Sequence, residues 1–126
     1  MKTLDDALRP GVVSIDGVEV DVVDVDRLGV TVRRVSVTGP PCDLRERVDQ
    51  LSRAENLPAN VRPIEVDPGL GGAVLRSVPR RKVYFEVRTD GRTTTVEKVH
   101  IGADGREKVP YTLTREQLGR MVEELE

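Results

Sequence analysis

Two stretches of alternating valine, each broken by an Asp-Gly pair, set the strongest limits on what this chain can fold into. The first is VVSIDGVEVDVVDVD at 12–26 and the second is KVYFEVRTDGRTTTVEKVHI at 82–101. Apolar residues at every second position line one face of a strand, and Asp-Gly supplies the left-handed pair that a two-residue hairpin turn demands. In the first hairpin Ile15 therefore faces Val18 and Val13 faces Val20, with Val22 on the same face and Ser14, Glu19 and Asp21 on the other. The second turns on Asp90-Gly91 between strands at 81–89 and 92–101, and a two-residue register sets Phe85 opposite Val96. Val83 and Val87 share that apolar face, while Tyr84, Glu86, Arg88, Thr93, Thr95 and Glu97 take the wet one.

Where the alternation slips, at Val22-Val23 and again at Arg33-Arg34 in a third strand over 30–37, a bulge is expected. Shorter strands fit 61–66, where Pro63 calls for an edge position or an irregular segment, 73–78, and 106–109 after a third turn at Asp104-Gly105. Three helices carry start signals. Thr3 precedes a short one at 4–8, Asp43 with Glu46 begins one at 43–57, and Thr114 with Gln117 forms a capping box for one at 114–126. Leu44, Val48, Leu51 and Leu57 mark one side of the second helix, and Leu118, Met121, Val122 and Leu125 one side of the third.

Hairpin-linked strands punctuated by amphipathic helices predict a single α+β domain over 1–126. Its largely antiparallel, Val-rich sheet has about six to seven strands, with two main helices on one face. The chain is long enough for such a core without disulfide or metal staples. TVRRVSV at 31–37 resembles TVEKVHI at 95–101, so a degenerate repeat of β-meander plus helix, 12–57 and 61–126, is one reading, and shared valine composition is the other.

Candidate chemistry begins with DPGLGGAVLRSVPRR at 67–81. A phosphate cradle needs a strand, then glycines, then a helix whose N-terminal amides face the anion. Gly69, Gly71 and Gly72 are followed instead by a short β-branched run that Pro79 ends, so a turn at Pro68-Gly69 is expected, with Gly69 taking positive φ. DVDRLG at 24–29 begins like a calcium loop, but Leu28 and Val35 occupy positions where oxygen ligands belong. One Cys and one His cannot make a usual zinc site. No metal and no cofactor is therefore expected.

Charge is segregated along a chain whose net charge is only −2. Arg76, Arg80, Arg81, Lys82, Arg88 and Arg92 face only Glu86 and Asp90 in their stretch, while Asp16, Glu19, Asp21, Asp24 and Asp26 stand together without a base. Such segregation suits intramolecular neutralisation, or a protein contact made with a second copy or another protein. Nucleic acid is disfavoured, because one Phe and two Tyr leave little to stack on bases. No apolar run approaches the roughly 18 residues of a membrane helix, and the first residues lack a secretion-type apolar segment, which makes the cytoplasm the expected location.

The function expected is a non-enzymatic protein-binding or assembly module that self-associates as a homodimer. Two alternatives stand beside it. One is a small anion-binding domain using the 67–81 glycines with Arg76, Arg80 and Arg81. The other is a cysteine-dependent enzyme in which Cys42, beside a helix start that would lower its thiol pKa, meets His100.

Overall fold

The computed structural model describes residues 3–69 and 71–126. In chain order the elements are α1 (Leu4–Ala7), β1 (Gly11–Ile15), β2 (Val18–Val25), β3 (Val30–Thr38), α2 (Leu44–Ser52), β4 (Arg62–Asp67), β5 (Gly72–Arg76), β6 (Val83–Thr89), β7 (Thr93–Gly102), β8 (Gly105–Val109), β9 (Tyr111–Leu113) and α3 (Arg115–Leu125). They form one α+β domain. The described strands make a single nine-stranded antiparallel sheet, seven of them in the order β1-β2-β3-β7-β6-β5-β4. Two meanders thus meet along β3 and β7. These strands pair only over Val35–Thr38 and Thr93–Val96 and then diverge; β8 fills the fork on β7 and β9 fills it on β3. β8 lies where a strand is expected over 106–109, whereas β9 has no counterpart in the sequence reading; with both, the count exceeds the six or seven expected.

The first hairpin has the expected register, Ile15 on Val18 and Val13 on Val20, with Asp16 and Gly17 both at positive φ. Both expected bulges occur, and they lie opposite each other. Asp21 pairs with Arg34 and Val22 with Val32, which leaves Arg33 unpaired, and the next pair, Asp24 on Thr31, leaves out Val23. The paired irregularities reset the phase of both strands. Val20, Val22, Val30, Val32, Val35 and Val37 consequently all reach the core on one face, each at most 2% exposed.

The second hairpin keeps its expected faces but not its register. Val87, not Phe85, stands opposite Val96, and Thr89 pairs with Thr94. The turn is two residues longer because Asp90 Oδ1 accepts the backbone N–H groups of both Arg92 (2.8 Å) and Thr93 (2.7 Å), a side-chain closure that the short turn does not allow. A shift by two preserves every side chain's face.

Four smaller corrections follow from local bonding. α2 stops at Ser52, not at 57, where the Arg53 N–H caps Gln50 and Leu51 carbonyls, although Leu57 is still buried against the core. β5 ends at Arg76, two residues short of 78: Ser77 still donates its N–H to the Phe85 carbonyl, but the Phe85 N–H bonds the Ser77 hydroxyl (2.8 Å) in place of the Ser77 carbonyl. The β4–β5 turn closes from Gly71 N–H to Pro68 C=O, with Gly71, not Gly69, at positive φ. The last hairpin pairs Gly102 with Gly105, so its turn residues are 103 and 104.

Helices α2 and α3 cover one sheet face. Leu118, Met121 and Leu125 of α3 and Leu51 of α2 are nearly inaccessible and join the valine cluster. Thr114 and Gln117 make the reciprocal capping box that opens α3, and Asp43 accepts from the N–H groups of Arg45 and Glu46 at the start of α2.

Candidate functional site

The sheet face turned away from the helices gathers the polar side chains of β1, β2, β3, β7, β6 and β5. Register places Glu86 beside Arg76 on one side and Glu97 on the other. Two carboxylates directly opposed across strands would repel each other. Lys108 of β8 removes the conflict, its Nζ lying 2.8 Å from Glu97 and 3.3 Å from Glu86. Arg76 Nε and Arg88 Nε each donate to Glu86 at 3.0 Å. Glu86 is only 4% exposed, although the alternation places it on the wet face. Burial pushes its carboxyl pKa up, but the two arginine hydrogen bonds and the charges of Arg88 and Lys108 outweigh this and hold it below the usual value.

Tyr84, also expected on the wet face, is likewise buried. Its ring lies between guanidiniums, with Arg76 Cζ 5.5 Å and Arg106 Cζ 5.6 Å from the centroid, and it pairs across the ladder with buried Val99. The open face therefore has a small covered centre of its own. Its cover is made of long cationic side chains lying over the sheet, which a binary apolar/polar pattern cannot express.

Towards β1 the same face becomes a shallow concavity of about 770 Å³ lined by Glu19, Arg34, Ser36, Thr95 and Arg88 among others. Its polar groups are largely paired with one another. Ser36 meets Thr95 at 2.7 Å, Thr38 meets Thr93 at 2.9 Å, and Arg34 meets Glu19 at 3.3 Å. The acidic hairpin is thus neutralised mainly by β3, since Asp21 also lies 3.6 Å from Arg33. Asp26 closes its own turn by accepting from the N–H groups of Leu28 and Gly29, and Asp24 is exposed on β2.

The basic stretch is divided. Arg76 and Arg88 serve Glu86. Arg80, Arg81 and Lys82 form the exposed β5–β6 turn, and Arg92 is exposed in the β6–β7 turn. Gly69, Gly71 and Gly72 lie at the start of β5, whereas Arg80 and Arg81 lie beyond its end, so the five residues of β5, roughly 17 Å, separate glycines from arginines.

Cys42 and His100 are also apart. The Cys42 N–H donates to Gly91 C=O at the beginning of β7, and its Sγ–H points to the Asp43 carbonyl. His100 pairs with Val83 and lies seven residues beyond Thr93, the first residue of β7, roughly 23 Å along the strand, and its Nδ1 is 3.8 Å from Glu107. Among the described residues no cluster of His, Cys, Asp or Glu is arranged to hold a metal ion, and no helix is long and apolar enough to cross a membrane.

The two sheet edges differ in a way the sequence reading did not resolve. β4 carries Pro63, the charges of Arg62, Glu65 and Asp67, and a register slip between Pro63 and Glu65. These are the devices that discourage pairing with another strand. β1, GVVSI, carries no charge, no proline and an unbroken register with β2, and Val12 on it is 57% exposed. Comparison with protein-family models, with curated proteins and with solved structures returns no match.

Proposed function

We propose that the protein is a non-enzymatic assembly module that joins a second copy of itself edge to edge through β1. The observation that carries this reading is the contrast between a guarded edge at β4 and a bare one at β1. The two-residue turn makes Ile15 and Val18 a hydrogen-bonded pair, so alternation along the ladder directs the N–H and C=O groups of Val12 and Ser14 to the free side.

An antiparallel partner β1 centred on Val13 would satisfy those four groups by pairing Val12 of each copy with Ser14 of the other. It would also set Val13 against Val13 on the helix-covered face. No charge on β1 opposes this self-pairing, and the acidic β2 strands would lie three strand spacings apart, about 14 Å, beyond the Debye length at physiological salt. The test is light scattering over a range of protein concentrations. A mass rising towards twice 14.0 kDa supports the reading, and a monomer at every concentration rejects it.

A further inference from the structure

Independent of the edge is a cleft between the segment entering β4 and the tip of the β5–β6 hairpin. It has a volume of about 630 Å³, within the usual range for small-ligand sites, and Arg62, Arg80 and Lys98 line it together with Phe85 and Val78. Among the described residues no carboxylate lines it, and none of these three cations forms an ion pair, in contrast to Arg76, Arg88 and Lys108, which all pair with Glu86; Arg62 reaches the cleft from the edge strand, where it stands beside Arg76. The adjoining turn adds Arg81 and Lys82, also without ion pairs there, so five cations stand together on a chain of net charge −2.

The tip is held firmly in place. Arg80 and Val83 exchange both backbone hydrogen bonds (2.9 and 3.0 Å), and the Ile101 N–H donates to the Lys82 carbonyl at 2.7 Å. Arg81 and Lys82 sit at φ 51° and 64°, a left-handed pair that non-glycine residues rarely adopt. Apolar wall stands beside this charge. Val78 is 64% exposed, and Lys98 Nζ lies 6.0 Å from the centroid of the Phe85 ring.

We propose that this cleft binds a small organic oxyanion, its phosphate or carboxylate held by Arg62, Arg80 and Lys98 and its apolar body resting on Phe85 and Val78. Guanidinium forks match the oxygens of either group, and a concave basic site concentrates such anions. The 770 Å³ concavity on the other face has no comparable claim, because its arginines are already paired, Arg34 with Glu19 and Arg88 with Glu86, and Asp16 adds a negative charge to its lining.

Calorimetric titration with 1-naphthyl phosphate, 1-naphthoate and inorganic phosphate tests the proposal, with the ring resonances of Phe85, the chain's one phenylalanine, as a second readout. A naphthyl ligand should bind at least tenfold more tightly than inorganic phosphate and shift the Phe85 signals; which of the two binds better identifies the oxyanion. Arg62→Ala, Arg80→Ala and Lys98→Ala should each weaken binding tenfold or more, while Arg92→Ala, which removes an exposed arginine in a different turn, should leave it unchanged. Absence of binding at millimolar concentration, unshifted Phe85 signals, or an equal loss in Arg92→Ala overturns the proposal.

Discussion

Glu86 and Glu97 stand opposite each other on β6 and β7, and the single ammonium of Lys108 bridges them. With Arg76 and Arg88 completing the shell around Glu86, the buried carboxylate holds β5, β6 and β8 together from the side that has no helices.

Glu86→Gln should lower stability at pH 7 by about 2 kcal/mol, since it removes the charge from hydrogen bonds to ionised donors, two of which are half-exposed. The folded-state carboxyl lies below its ordinary 4.5, so its contribution is full above that pH and is lost as pH falls through the lowered value. Urea unfolding of both proteins at pH 7 and pH 3 checks this. The gap should narrow at pH 3, and a gap of equal size at both would remove Glu86 as its source.

Gly91 and Gly71 offer a matched pair, both at positive φ. A Cβ on Gly91 would stand 2.6 Å from the Cys42 carbonyl oxygen, whereas one on Gly71 meets nothing within 4 Å. Gly71→Ala should cost about 1 kcal/mol, from the backbone conformation alone, and Gly91→Ala about 3 kcal/mol or more, because β7 and the entry to α2 must move apart. Equal melting temperatures for the two variants would contradict this account.

Buried Thr89 and Thr94 share a hydroxyl contact of 3.0 Å, and Thr89 Oγ1 also accepts the Gly91 N–H at 3.1 Å. Thr89→Val orphans two groups and Thr94→Val only one. Denaturant titration should therefore rank Thr89→Val as the more damaging, by about 1 kcal/mol.

Edge pairing predicts that Ser14→Pro, which deletes an outward N–H, and Val12→Lys, which charges the edge, each leave the fold's circular dichroism intact and yield monomers. The mirror change on β4, Pro63→Val, should leave the oligomeric state as it was. Dimers that survive Ser14→Pro would place the contact elsewhere.

Much of this architecture was legible in the chain. Asp16-Gly17, the alternation around it and the two phase slips gave the first meander residue by residue, because each feature acts through neighbours a few positions away. The second hairpin went astray by two residues because an aspartate side chain, not the backbone type of the turn, closed it. The likeness of 31–37 to 95–101 also misses orientation: past the bulge at Arg33, Val35 and Val37 face the helices, whereas the matched Val99 and Ile101 lie on the opposite face. For the site, the basic stretch was visible but its division was not. Arg76 and Arg80 differ in surroundings only through Glu86 and Lys108, and the partners Arg62 and Lys98 are 36 positions apart (62 to 98), so no local pattern joins them.

The seam between the two meanders bears on how the chain acquires its shape during synthesis. Val35 meets Val96, and Val30 meets Leu113, so the valine face of the first meander gains its central neighbour only when most of the chain has emerged. Until then β1 to β3 form a strongly apolar ribbon with both edges open, the kind of species most exposed to wrong pairing. A chain stalled before β7 therefore lacks the strand against which β3, the last strand of its first 40 residues, is paired in the finished sheet.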